Sequence, residues 1–217
     1  MSLTKSISQF IDNTLIDLGR QFRWSYLPPL MIYVAAGISG LTGIVGVFFI
    51  KDYLNLSAAF LAGLGFWAGI PWALKMPLGH LVDLIWQRKN YLVFVGAGLI
   101  ALSVIIMYGL IIHTETMASI LKVETWFIVS ALLAPVGYVT QDVVADAMTV
   151  EAVPSTDDQG NKYSTQQIKI MHTTMQTLGR FAIIGGFVLV ALVNVVMFAG
   201  VSALSEPEKI EIYGRIY

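Results

Sequence analysis

Apolar residues run along this chain in long blocks separated by short polar breaks. A helix that crosses a bilayer needs about 20 mostly apolar residues, and the blocks reach that length five times. The spans fall at residues 27–50, 57–84, 91–112, 126–150 and 168–198. Trp24 and Tyr26 lead into the first and suit the headgroup level, and Lys51 and Asp52 close it. Pro71 and Lys75 lie inside the second. The pattern predicts an all-α fold, a polytopic membrane bundle of five transmembrane helices over residues 27–204.

The flanks differ from the body. Before the first span, Ile7, Phe10, Ile11, Leu15, Leu18 and Phe22 recur at helical spacing with Asp12, Asp17, Arg20 and Arg23 between them. Residues 1–26 therefore read as an amphipathic helix, either lying along the membrane surface or packed on the body as a solvated helix. They lack the basic start, apolar stretch and small-residue cleavage site of a signal peptide. Between the fourth and fifth spans, residues 154–162 form a polar loop, and Ser164 with Gln167 makes a capping box that starts the fifth helix in water. The loop's Asp157-Asp158 pair lacks the alternating ligand spacing of a calcium loop. At residues 205–217 a capping serine, Ser205, is followed by Glu206, Pro207 and Glu208, which are signals for starting a helix. The sequence ends about three turns later, so a sixth span is expected to begin here, in a piece of something longer or a shortened gene product.

Composition narrows the function classes. Only 12% of the 217 residues are charged and 56% are hydrophobic, giving a mean hydropathy of +0.72. A soluble domain carries about 25% charged residues, so a soluble enzyme is excluded. There is no cysteine, hence no disulfide framework and no thiolate chemistry. A net charge of −1 without a basic tract speaks against a nucleic-acid partner. No nucleophile–base pair, zinc ligand set or phosphate-cradling loop is visible. Catalytic residues, metal and cofactor are accordingly expected to be absent. Lys5, Arg20, Arg23, Arg88, Lys89, Lys162 and Lys169 fall on one side of the spans, against Lys51, Lys122, Lys209 and Arg215 on the other. The positive-inside rule then puts the N-terminus in the cytoplasm, at an inner or plasma membrane.

Two features inside the spans carry candidate chemistry. Gly37, Gly40, Gly43 and Gly46 recur every third residue, a small-residue pattern for close helix packing in lipid. The second span adds Gly63, Gly65 and Gly69, and the fifth adds Gly179, Gly185 and Gly186. Lys75, Asp142, Asp146 and Arg180 are ionisable residues within spans, where a charge costs about 2.5 kcal/mol or more unless buried, paired or functional. Asp142 and Asp146 share a helix face. The four are expected either to pin the bundle as an interhelical salt-bridge network or to act as a coupling site in which a carboxylate alternates between a proton and a cationic partner.

The run Gly79-His-Leu-Val-Asp83 followed by Arg88-Lys89 resembles the loop between helices two and three of the major facilitator superfamily, with Leu84 where a basic residue is usual. Pro71-Trp-Ala-Leu-Lys75-Met-Pro77-Leu-Gly79 is similar to a second-helix run of the folate–biopterin transporter family, with Met76 where a proline is usual. Gln141-Asp-Val-Val-Ala-Asp146-Ala-Met-Thr-Val-Glu151 resembles that family's fourth-helix run. The resemblance covers residues 27–217, the first five of about twelve helices. It implies a secondary transporter of a small organic solute, with pteridines or folates as candidates, whose two helical halves rock about a midplane site. On that resemblance Lys75, Asp142 and Asp146 become substrate or coupling residues, and Gly79, Asp83, Arg88 and Lys89 the gating segment; Arg180 joins the candidates as a charge inside a span. The expected partners are the lipid bilayer, a second transporter half or other membrane subunits, and a small solute. A second reading is a truncated, transporter-derived accessory subunit packed against a larger membrane complex.

Overall fold

The computed structural model describes residues 17–43, 45–46, 57–157 and 159–217. In chain order the helices are α1 (Asp17–Arg20), α2 (Leu27–Ile38), α3 (Ala58–Ala73), α4 (Lys75–Leu84), α5 (Asn90–Ile112), α6 (Thr114–Ile120), α7 (Val123–Ala152), α8 (Thr165–Met197) and α9 (Glu206–Ile216), with 3-10 turns at Trp24–Tyr26, Ser39–Thr42, Trp86–Arg88 and Val201–Ala203. Among the described residues the sole β pairing is an isolated bridge between Thr156 and Lys162, closing the loop before α8.

Four stretches are long and apolar enough to cross a membrane: Ala58–Leu84, Asn90–Ile112, Val123–Ala152 and Thr165–Ala203. They correspond to the second through fifth expected spans. The first expected span, 27–50, is occupied by α2 and the 3-10 turn after it, and its residues 44 and 47–50 lie outside the described residues. Most of the amphipathic segment 1–26 also lies outside them. The apolar windows of the four spans are only 0, 33, 33 and 17% buried within the protein. Phe66, Trp67, Ile105, Phe187, Leu192 and Val195 are each more than half exposed. Apolar surface on this scale requires hydrocarbon as its solvent, and the chain contacts the lipid bilayer.

Helix α7 is the hub. It packs along α5 most extensively and also touches α2, α3 and α4, while α8 packs chiefly on α2 and α9 lies on α5. In lipid the hydrophobic effect does not draw helices together, so close approach and interhelical hydrogen bonds must. Two glycine crossings provide the approach. A Cβ on Gly96 would lie 2.7 Å from the Gly137 carbonyl, and one on Gly137 would lie 2.7 Å from the Gly96 carbonyl, so α5 and α7 meet backbone to backbone. Likewise a Cβ on Gly186 would lie 2.7 Å from the Gly37 Cα, joining α8 to α2. Below the first crossing, Ser103 and Ser130 are buried and reciprocal: each hydroxyl donates to the other's carbonyl, at 2.8 and 2.9 Å.

The remaining first-span glycines depart from expectation. A Cβ at Gly40 or Gly43 would meet open space, and one at Gly46 would meet only the Tyr217 hydroxyl at 3.6 Å. The α-helix gives way to the 3-10 turn at Ser39–Thr42, so the glycine spacing does not continue one α-helical face. Gly40 and Gly43 are exposed, and Gly37 alone of the four meets α8. Gly63, Gly65, Gly69 and Gly185 also border open space. Tyr26 departs too: it is fully buried, packed with Tyr33, Ala145 and Met175, while Trp24 is 82% exposed. The entry to the first span thus has one aromatic outward and one in the core.

The second expected span is two helices. Pro77 offers no N–H to the Ala73 carbonyl and its ring crowds that carbonyl, so the helix breaks at Leu74, whose φ and ψ are −86° and 7°. Lys75 becomes the first residue of α4. The start of α8 follows the expected capping box: the Ser164 Oγ accepts from the Gln167 N–H at 3.3 Å, and the Gln167 Oε1 accepts from the Ser164 N–H at 2.9 Å. Ser205 and Glu208 form the same box at the start of α9.

Alanine at Gly37 or Gly137 should cost about 1–3 kcal/mol by overpacking, whereas alanine at Gly63 or Gly65 should cost nothing measurable. Thermal unfolding of the detergent-solubilised protein checks this; equal losses at all four positions would mean the crossings do not hold the bundle.

Candidate functional site

The helix break at Leu74 delivers Lys75 to the face of α7 that carries Asp142 and Asp146. The Lys75 Nζ lies 2.6 Å from the Asp142 Oδ2 and 2.9 Å from the Asp146 Oδ2. Four residues apart, the two carboxylates project from the same side of α7 on successive turns, and one ammonium bridges them. From α2, the Tyr33 hydroxyl donates to the other oxygen of Asp146, Oδ1, at 2.7 Å. The side chains of Lys75, Asp142 and Asp146 are 38, 13 and 50% exposed, so Asp146 is the carboxylate most open to exchange with its surroundings. Asp146 precedes the end of α7 by six residues and Lys75 the end of α4 by nine, which at 1.5 Å per residue sets the cluster about 9–14 Å in from those helix ends.

Beside the cluster a groove of about 340 Å³ opens between α4 and α7, lined by Lys75, Gly79, Asp83 and Asp146 among others. The geometry thus brings Lys75, Gly79, Asp83, Asp142 and Asp146 to one side of the bundle. Arg180 is not part of the ionic network: it forms no ion pair with either aspartate and is exposed on α8. Instead it lines a groove of about 620 Å³ with Lys169, His172 and Gln176, which recur every three or four residues on one helix face. An interhelical network was expected to include both cations. One lysine satisfies both carboxylates, and the ring of Tyr33 fills the space between α8 and Asp146.

A second polar layer ties together the neighbouring helix ends. Lys89 is buried, with its Nζ 2.6 Å from the Glu151 Oε1 and 4.1 Å from the centre of the Trp86 ring. The same ammonium donates to the Trp86 carbonyl at 3.3 Å. The Ser25 hydroxyl donates to the Ala152 carbonyl at 2.8 Å, satisfying one of the acceptors left over at the end of α7. Arg23 donates to the Tyr163 hydroxyl at 3.3 Å, and the Thr174 hydroxyl donates to the Gln21 side chain at 2.7 Å. The basic pair of the expected gating segment therefore divides: Lys89 is latched to the end of α7 while Arg88 is exposed. In the adjoining loop the Asn161 side chain and backbone N–H donate to Asp157, as does the Gln159 N–H, and these donors hold its carboxyl below the usual carboxylate range. Among the described residues no group of three or more His, Cys, Asp or Glu side chains is placed to hold a metal ion.

Sequence reasoning passed over Tyr33 and the Lys89–Glu151 pair. Tyr33 stands one helical turn before Gly37 inside an apolar run, a hydroxyl with no neighbour in sequence to bond it. Lys89 and Glu151 are opposite charges at matching ends of spans that turn out adjacent. Replacing Glu151 with alanine should destabilise the protein by about 1–3 kcal/mol, because a buried ammonium loses its carboxylate. Arg88→Ala should fall within about 0.5 kcal/mol of the parent. Urea or thermal unfolding in detergent measures both, and indistinguishable losses would contradict the latch.

Comparison with known proteins finds a distant relative of this chain. Over 138 residues, 62% of this chain, it is 30% identical to a folate-biopterin transporter from Synechocystis sp.. The chain spans about a quarter of that relative's length, the match covering 26% of it. No protein-family model matches the chain, and no solved structure does. The likeness to a transporter agrees with the expectation of a non-enzymatic protein. Together with the four apolar helices it identifies an integral, multi-pass membrane protein with transporter-like sequence.

Proposed function

We propose that the chain forms the N-terminal part of a secondary transporter of the major facilitator type. It moves a small organic solute of the pteridine or folate kind by alternating access, coupled to a proton or another ion. One observation carries most weight: a single ammonium sits between two carboxylates of one neighbouring helix, inside a bundle whose outer surface is apolar. Ionisable groups at such positions are costly and mark ion and substrate paths.

Taken together, Lys75, Asp142 and Asp146 carry one net negative charge. A proton on Asp146, or a cationic group of the solute, neutralises the set. Burying an uncompensated charge costs several kcal/mol, so the charge state of the cluster biases which of two helix packings is the cheaper. Asp142, the less exposed carboxylate, holds Lys75 throughout, and Asp146 is the one that exchanges. Gly79, Asp83, Arg88 and Lys89 form the gating segment, with the Lys89–Glu151 contact closing the cytoplasmic side on which the N-terminus lies. A second helical half supplies the opposite wall of the path.

The test is uptake of radiolabelled folic acid and of pterin by the intact protein in liposomes, with and without a pH gradient. Asp146→Asn should reduce gradient-driven accumulation at least tenfold while preserving exchange of solute across the membrane, and Asp142→Asn should reduce both. Undiminished accumulation in both variants would remove the coupling role. No uptake of either compound, with stable co-purification in an unrelated membrane complex, would favour the accessory-subunit reading instead.

A further inference from the structure

We infer that Tyr33 is a positioning residue that makes the geometry of Asp146 depend on where α8 stands. This rests on reading Asp146 as the coupling carboxylate. Tyr33 contacts two helices through its two ends. Its hydroxyl donates to the Asp146 Oδ1 at 2.7 Å. Its ring lies against Gly179 of α8, where an added Cβ would stand 2.8 Å from Cε2 and 2.9 Å from Cδ2. The ring fits because α8 has no side chain at that place.

One turn further along α2, Gly37 meets Gly186, so the α2–α8 contact is a backbone crossing at one end and a ring against a glycine at the other. A shift of α8 along α2 has no slack to absorb it near Tyr33. The ring must move, and its hydroxyl moves on Asp146. Two elements bring charged groups to the phenol and its acceptor, Asp142 and Asp146 from α7 and Lys75 from α4, and Arg180 follows Gly179 on α8. The Asp146 carboxylate therefore has one oxygen committed to the ammonium on α4 and the other to a phenol that follows α8. Movement of α8 alters one oxygen's partner while leaving the other's in place. A salt bridge alone could not report on a helix that neither of its members belongs to.

The experiment is isotope-edited infrared spectroscopy of the intact protein in lipid nanodiscs, with ¹³C-aspartate and the Asp146→Asn variant to locate the Asp146 carboxylate band. Tyr33→Phe keeps the ring on Gly179 and removes only the hydroxyl. It should move that band, and Gly179→Ala should move it in the same sense. In the double variant the band should stand where Tyr33→Phe alone puts it, and Gly185→Ala, which borders open space, should leave it unmoved. An unmoved band in Tyr33→Phe overturns the inference, as does a Gly179→Ala shift of full size in the Tyr33→Phe background. Should Gly179→Ala fail to fold, Gly186→Ala, which forces α8 off α2 at the other end of the contact, takes its place in both backgrounds. In liposomes Tyr33→Phe should lower the maximal rate of folate uptake about tenfold at unchanged half-saturation, the scale of one hydrogen bond to a charge. The two readings fail separately. A band shift without uptake by the parent protein sinks the transporter assignment alone, and normal uptake with an unmoved band sinks the role of Tyr33 alone.

Discussion

In hydrocarbon, apolar side chains gain nothing by leaving their solvent for one another, and what remains to hold helices together is contact at short range and the pairing of polar groups. In this chain both converge on α7. Gly137 lets α5 lie against its backbone, and the seryl pair Ser103–Ser130 locks the same contact with buried hydrogen bonds. Further along α7, Asp142 and Asp146 take hold of α4 and α2 through Lys75 and Tyr33. Last comes Glu151, which takes the lysine at the start of α5. One helix therefore changes its means of attachment along its length, from steric near the glycine to ionic near its end. If α7 were displaced, each of these contacts would be lost in turn.

The two ionic contacts differ in what they can do. Lys89 is buried and bears on a single carboxylate and an aromatic ring, an arrangement suited to closing one end firmly. Lys75 is shared between two carboxylates, one of them half exposed and bonded a second time by a phenol. Sharing spreads the attraction, so that losing one contact leaves the ammonium paired. A charge that can change partner without becoming unpaired avoids the full cost of an isolated ion in a low-dielectric setting.

Much of this was legible in the sequence because the relevant signals are local. Long apolar blocks marked the four stretches from 57 onward that are long and apolar enough to cross a membrane, and Ser164 with Gln167 marked the start of α8 within a residue. The intramembrane charges singled out Lys75, Asp142 and Asp146 by their cost alone. What stayed hidden depends on which helices become neighbours. Gly137 is the lone glycine of its span and Gly96 one of three in its own, and the two gain meaning only when α5 and α7 cross there. Tyr33 has no partner within reach along the chain. Regular spacing misled at Gly40 and Gly43, since the helix that carries Gly37 ends at Ile38 and these two glycines after it border open space. Arg180 misled because a sequence cannot say which of two cations reaches a carboxylate first. The break at Leu74 was hidden in the open: Pro77 acts on the carbonyl four residues before it, not on its own place.

That break has a mechanical consequence. A continuous helix from Ala58 to Leu84 would transmit any tilt along its whole length. Interrupted at Leu74, the stretch has two kinds of attachment: α3 packs Phe60, Leu61 and Leu64 on the apolar core without a fully buried residue, while α4 is fastened to α7 by the lysine at its first position. A displacement that reaches α4 through its ammonium would be taken up in part at the joint at Leu74 before it reached α3.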